Sequence, residues 1–163
     1  MILGHARHAK DTVAEIIKDI AGLSFESSSK MCMELFLYDS IKDVLDYKSM
    51  NECFEDRVNH RKLWNSLITA YNYHDPARLA REIFTRRDMY VGIRSNREFD
   101  AAKEEGLFDC AIWVDASNRL PLEPPDSFDI SVDKADFVID NNGKEIELPE
   151  KVRQCLKLIG GEN

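Results

Sequence analysis

The chain has 163 residues, 44% of them apolar and 32% charged, with a formal net charge of −8. That length predicts one domain able to bury a real core, of soluble globular composition, and the acidic balance argues against non-specific nucleic-acid binding. No apolar run approaches a membrane span and no signal peptide precedes the first apolar stretch, so no membrane partner and a cytoplasmic location are expected.

The chain opens on a short apolar strand, Ile2-Leu3. A loop follows, Gly4-His5-Ala6-Arg7-His8-Ala9, and then Lys10-Asp11-Thr12 opens a helix. This is the spacing of G-x-x-x-x-G-K-[ST], the phosphate-cradling loop, with two departures. Ala9 stands at the second glycine, and Asp11 lies between the lysine and the hydroxyl residue. Successive backbone N–H groups wrap an anion only where the loop folds tightly, and the following helix N-terminus adds its dipole. Lys10 then supplies a point charge to the β- and γ-phosphates, and Thr12 holds Mg²⁺. The alternative is a strand-to-helix connection that happens to carry Gly and Lys. The Ala9 methyl is expected to crowd the phosphate or strain the loop, since glycine there lets the backbone approach closely. The helix, Thr12 to about Ala21, shows helical spacing at Val13, Ile16, Ile17 and Ile20, and Gly22 is a plausible stop.

Leu23 to Ser27 reads as a second strand, with Ser27-Ser28-Ser29 placed to cap the next helix. Helical patterns cover Lys30 to about Tyr47 and Asn51 to Tyr73, and Pro76 suits the first turn of a helix running to about Arg86. Met89 to Ile93 is a third strand, Asn96 to Glu105 a helix ended by Gly106, and Asp109 to Asp115 a fourth strand apolar enough for a sheet covered on both faces. A proline-rich loop spans Asn118 to Pro125. Phe137 to Ile139 is a fifth strand, turned by Asp140-Asn141-Asn142-Gly143, and Glu150 to Ile159 is the last helix. Cys32, Cys53, Cys110 and Cys155 form no C-x-x-C pair and read as buried thiols in a reducing compartment.

Alternating strands and helices predict a parallel sheet, with ligands at the carboxyl ends of the strands. That gathers Gly4 to Thr12, Ser27 to Ser29, Arg94 to Arg97 and Asp115 to Arg119 around one crevice. From Arg57 to Arg97 the chain holds nine Lys and Arg against three acids, inside an otherwise acidic protein. Such a concentration suggests either a localised anion site or a solvated helix face.

Several segments resemble the small P-loop nucleotide kinases encoded by phages, grouped with deoxynucleoside monophosphate kinases. They are Gly4 through Thr12, Phe54-Glu55-Asp56-Arg57-Val58-Asn59-His60-Arg61, Gly92-Ile93-Arg94-Ser95-Asn96-Arg97-Glu98-Phe99, and Ala135-Asp136-Phe137-Val138-Ile139-Asp140-Asn141-Asn142-Gly143. The last is similar to the final strand and turn of dephospho-coenzyme A kinases and deoxynucleotide kinases. The resemblance implies a P-loop kinase-like three-layer α/β fold, with a parallel five-stranded sheet of order 2-3-1-4-5 flanked by helices. It also implies transfer of the γ-phosphate of ATP, with Mg²⁺, to an acceptor. Family members often carry an aspartate where this chain has Gly92, and a longer arginine-bearing lid than Asn118-Arg119-Leu120-Pro121.

Phosphoryl transfer needs positioning and charge neutralisation more than covalent chemistry. On that reading Gly4, His5, Ala6, Arg7, His8, Ala9, Lys10, Asp11 and Thr12 bind the nucleotide. Lys10 is its phosphate-holding cation or else an exposed helix-start lysine; Thr12 is a Mg²⁺ ligand or a plain helix residue. Arg94 and Arg97 clamp acceptor phosphate or make surface salt bridges. Arg57 and Arg61, at i and i+4, share a helix face that is either acceptor-binding or solvated, with Ser27 as a further acceptor contact. Arg78 and Arg81 share a face in the same way. Arg119 is a candidate lid arginine stabilising transition-state charge, and Asp115 a candidate for the missing carboxylate and Mg²⁺ ligand. His5 and His8 fill the loop or approach adenine, Asp11 caps the helix, orients Lys10 or assists Mg²⁺, and Trp64 and Trp113 are core.

Three functions stand open. The first is a kinase of a free (deoxy)nucleoside monophosphate, favoured by the acidic surface. The second is a kinase of 5-hydroxymethyluracil within phage DNA, with DNA as acceptor; it suits the arginine-rich centre and short lid. The third is a degenerate nucleotide-binding protein marked by Ala9 and Gly92. A homodimer is a further expectation, and the host cytoplasm the location if the chain is phage-encoded.

Overall fold

The fold is described from a computed structural model covering residues 1–125 and 127–161. Five strands, β1 (Ile2–Leu3), β2 (Phe25–Ser27), β3 (Met89–Val91), β4 (Ile112–Asp115) and β5 (Phe137–Asp140), form one sheet of order β2-β3-β1-β4-β5. Every pairing is parallel, with Ile2 opposite both Val91 and Ile112, and Asp115 opposite Asp140. Expected and observed order agree.

Strand side chains alternate between two faces. Ile2, Met89, Val91, Ile112, Val114 and Ile139 bury against Val13 and Ile17 of α1 (Lys10–Ala21) and Val152 and Cys155 of α8 (Leu148–Ile159). Leu3, Tyr90 and Trp113 face the other way. They meet Met31 of α2 (Ser28–Cys32), Leu79 and Ile83 of α6 (Arg78–Phe84), and Phe99 and Ala102 of α7 (Asn96–Glu104). Helices therefore cover both faces, which is why the strands are apolar nearly throughout.

Two expected helices are broken. The first starts at Ser28, passes through a π-helical turn at Met33–Leu37 and ends with α3 (Tyr38–Ile41), so 42–47 lie outside it. Met33, Leu37 and Ile41 nonetheless share one buried side. The second divides into α4 (Met50–Asp56) and α5 (Arg61–Tyr71). Between them Asn59 N donates to Asp56 O at 2.9 Å and His60 N to Arg57 O at 3.2 Å. Asp56 collects Tyr47 Oη at 2.6 Å, Asn59 Nδ2 at 2.6 Å and His60 Nε2 at 3.1 Å. These side-chain bonds, with Val58 and Asn59 as poor helix formers, favour a turn over continued helix. Arg57 and Arg61 consequently do not share one helix face. Met33, Leu37, Ile41, Tyr47, Cys53 and Trp64 form a cluster of their own under these short helices.

α6 likewise starts later than Pro76, and Arg81 is committed elsewhere: it pairs with Glu105 at 2.6 Å and with Asp75. Among the described residues, no helix is long and apolar enough to cross a membrane.

A candidate anion-binding site

The loop from Gly4 to Ala9 leaves the centre of the sheet at its carboxyl edge. Gly4 has φ +134°, and a Cβ there would stand 2.5 Å from Val114 O, so only glycine lets β1 turn away this close to β4. Two non-glycine residues of this loop adopt left-handed backbone, Arg7 (φ 66°) and Ala9 (φ 72°). Ala9 thus takes, as alanine, the conformation that a glycine adopts without strain at the same motif position.

His5 and His8 anchor the loop and are not exposed for ligand chemistry. His8 is fully buried; its Nδ1 accepts from Ala116 N at 3.1 Å, and its carbonyl accepts from Asn141 Nδ2 at 3.2 Å. The His5 ring packs against His8, Trp113 and Phe128, with centroids 5.4, 5.6 and 4.6 Å away. Its Nδ1 accepts from Glu123 N at 3.1 Å. Burial, then the neighbouring His8, holds the His5 pKa below its usual value. The ring is therefore neutral at physiological pH and presents Nδ1 as an acceptor.

Lys10, the first residue of α1, donates to His5 O at 2.7 Å. Burial, then the Arg94 guanidinium, lowers its pKa to about 8. Ala6 N donates to Glu123 Oε2 at 2.6 Å, and the other Glu123 oxygen pairs with Arg94. Burial pushes the Glu123 carboxyl up, but the Arg94 and Ala6 hydrogen bonds and the Arg94 and Lys10 charges outweigh it and hold the group below its ordinary value. Among the described residues, the Arg7, Ala9, Lys10 and Asp11 amides have no intramolecular acceptor.

Ala6, Arg7, Lys10 and Asp11 line one end of a cleft of about 1500 Å³. Ser27, Arg57, Arg61, Arg94 and Arg97 line the same cleft. Ser27 caps α2, accepting from Lys30 N at 3.3 Å. The Arg57 guanidinium lies over the Phe54 ring, 3.7 Å from its centroid, and donates to Phe54 O. Arg97 donates to Tyr73 O at 2.8 Å. Arg61 and its neighbour Lys62 stand exposed and, among the described residues, in no ion pair.

Seven expected site residues lie off this cleft: Gly4, His5, His8 and Ala9, which shape the loop from within, and Thr12, Asp115 and Arg119. Thr12 is exposed on α1 and absent from the lining, whereas Asp11 belongs to it, because consecutive helical residues point about 100° apart. Asp115 is tied to the turn after β5: it accepts from Asn142 Nδ2 at 2.8 Å and from Ser117 N at 3.1 Å. Burial pushes its carboxyl up, but these bonds prevail and keep it below the usual range. Arg119 donates to Asn141 O at 2.7 Å on that same side. No group of three or more His, Cys, Asp or Glu is placed to hold a metal among the described residues.

Sequence reasoning missed two acids. Glu123 sits between Pro121 and Pro124 in a loop without periodicity, and nothing local marks it. Glu98 lines the cleft from the first turn of α7; burial pushes its carboxyl above the usual range, and among the described residues it makes no ion pair. A raised carboxyl in a cleft is a functional signal that only burial reveals.

Together these features define an α/β protein with an all-parallel sheet and an electropositive loop at its carboxyl edge. Compared with protein-family models, curated proteins and solved structures, the chain matches none.

Proposed function

We propose that this protein is a P-loop kinase-like, ATP-dependent phosphotransferase whose acceptor is a (deoxy)nucleoside monophosphate. The observation that carries this reading is that Ala6, Arg7, Lys10 and Asp11, with Arg94 close to Lys10, line one cleft together with Arg57, Arg61 and Arg97. Unpartnered amides and a helix N-terminus favour the donor's phosphates at the loop end. A cleft of about 1500 Å³ has room for a second ligand, and guanidinium groups suit its phosphate.

In this reading Lys10 carries charge to the transferring phosphoryl group, and Arg94 and Arg97 orient the acceptor. The expected Thr12–Asp115 pair does not fit Mg²⁺, since neither residue lines the cleft. Mg²⁺ is commonly held by one or two carboxylates plus substrate phosphates, and Asp11, facing the cleft beside Lys10, fits that demand. Bound with ATP, the ion would neutralise phosphate charge. The test is γ-phosphate transfer from ATP across the nucleoside monophosphates, in wild type and in Lys10→Ala. Acceptor-dependent turnover that falls at least about a hundredfold in the variant is expected. ADP release that no monophosphate stimulates would overturn the reading.

A second reading, phosphorylation of a hydroxymethylated base within DNA, is favoured by one feature. The break between α4 and α5 places Arg61 and Lys62 on an exposed rim of the cleft, where a strand backbone can reach them. Parallel assays with hydroxymethylated DNA and free nucleotide distinguish the two acceptors.

A further inference from the structure

The Glu123 carboxylate is seated as an anion would be. One oxygen accepts the Ala6 amide at 2.6 Å, the other meets Arg94, and the Lys10 charge acts on both. The side chain is only 14% exposed. The Glu123 backbone N–H is bound separately, to His5 Nδ1 at 3.1 Å, so the connection after β4 is pinned by main chain as well as by side chain. The carboxylate uses only part of what surrounds it, because among the described residues the Arg7, Ala9, Lys10 and Asp11 amides have no acceptor.

We infer that Ala6 N, Arg94 and Lys10 form an oxyanion subsite in which Glu123 is the resident competitor, so that a phosphoryl group enters by displacing this chain's own carboxylate. The inference rests on the reading that this loop receives phosphate. A carboxylate offers two oxygens and one charge, whereas a terminal phosphoryl group offers three oxygens and up to two charges. The incoming group therefore gains the donors that Glu123 leaves unused, while Glu123 keeps its main-chain tether to His5. The same contact partly offsets the Arg94 and Lys10 charges, which would otherwise repel each other across a partly buried site. It also withholds the cradle from weak anions: a ligand must bring enough charge and enough acceptor atoms to compete.

The inference is tested by calorimetric titration of pyrophosphate into wild type, Glu123→Gln, Glu123→Asp and Arg94→Ala, each first shown to be folded by circular dichroism. Glu123→Gln keeps an amide oxygen for Ala6 N but removes the competing charge, and about tenfold tighter binding is expected. Glu123→Asp, one methylene shorter, is expected to fall between wild type and Glu123→Gln. Arg94→Ala should weaken binding. Equal or weaker binding by both Glu123 variants would overturn the inference and make Glu123 a support for Arg94. Failure of every variant to bind pyrophosphate would also overturn it. Phosphate transfer from ATP distinguishes the two readings. Transfer with unchanged affinity in the Glu123 variants leaves the phosphotransferase and removes the competitor; tightened pyrophosphate binding without any transfer does the reverse.

Discussion

Lys10 carries its charge where charge is costly, and that sets a pH dependence. Its pKa is lowered from 10.5 to about 8, first by burial and then by Arg94. Anion affinity should therefore fall as pH rises through about 8, as titrations of ATP at pH 7 and pH 9 would show. Lys10→Arg should remove that fall, since guanidinium stays charged. Stability moves oppositely. Between about pH 8 and 10.5 the unfolded chain holds more of the Lys10 proton than the folded one, so the contribution of Lys10 to stability rises with pH across that window. Ala9 is the other decisive residue. A left-handed alanine costs about 1–2 kcal/mol, and part of the gain from Ala9→Gly is returned through the greater freedom of the unfolded glycine. A net gain of about 0.5–1 kcal/mol is expected, seen as a rise in Tm of about 2–3 °C. The motif's departure from glycine is thus a local strain, tolerated because His8 and Asn141 hold the loop from within.

At the scale of elements, the loop's shape comes from how tightly β1 runs against β4. Gly4→Ala would place a methyl 2.5 Å from Val114 O at φ +134°. A loss of about 3 kcal/mol is expected from strain and crowding together, measurable by urea unfolding. The turn between α4 and α5 is the second element that shapes the cleft lining. It separates Arg57, held over Phe54, from Arg61, exposed at the start of α5. Arg57→Ala should therefore disturb packing around Phe54 as well as any acceptor contact, whereas Arg61→Ala should leave stability within about 0.5 kcal/mol of wild type. Paired thermal melts of the two variants would separate these effects.

For the whole molecule, two large clusters clamp the sheet, and the third lies under short helices away from the strands. Helices of four to eleven residues around one satellite cluster should open at lower free energy than the central strands. Native-state hydrogen exchange is expected to be faster across 50–71 than across 112–115, and equal protection would contradict this. The same arrangement leaves Arg57 and Arg61 on the more adaptable part of the fold, and the loop from Gly4 to Ala9 on the rigid part. Cys32 is buried within the sheet-side core, and burial pushes its thiol up to about 12. It should resist alkylation until the core itself opens.

The alternation of strands and helices and the helix after the first strand were legible in the sequence, because strand and helical spacing are local patterns that report directly on burial, whereas the sheet order followed only from the resemblance to P-loop nucleotide kinases. Gly4 was legible for the same kind of reason: a tight turn against a neighbouring strand demands glycine at one place. Tertiary structure alone decided that Asp11, not Thr12, faces the cleft, that Asp115 and Arg119 serve the turn after β5, and that Arg57 and Arg61 part company. It alone brought Glu123, 117 residues beyond Ala6, onto the loop. Which acid meets which amide depends on the path of irregular connections, and no periodicity in the chain encodes that path.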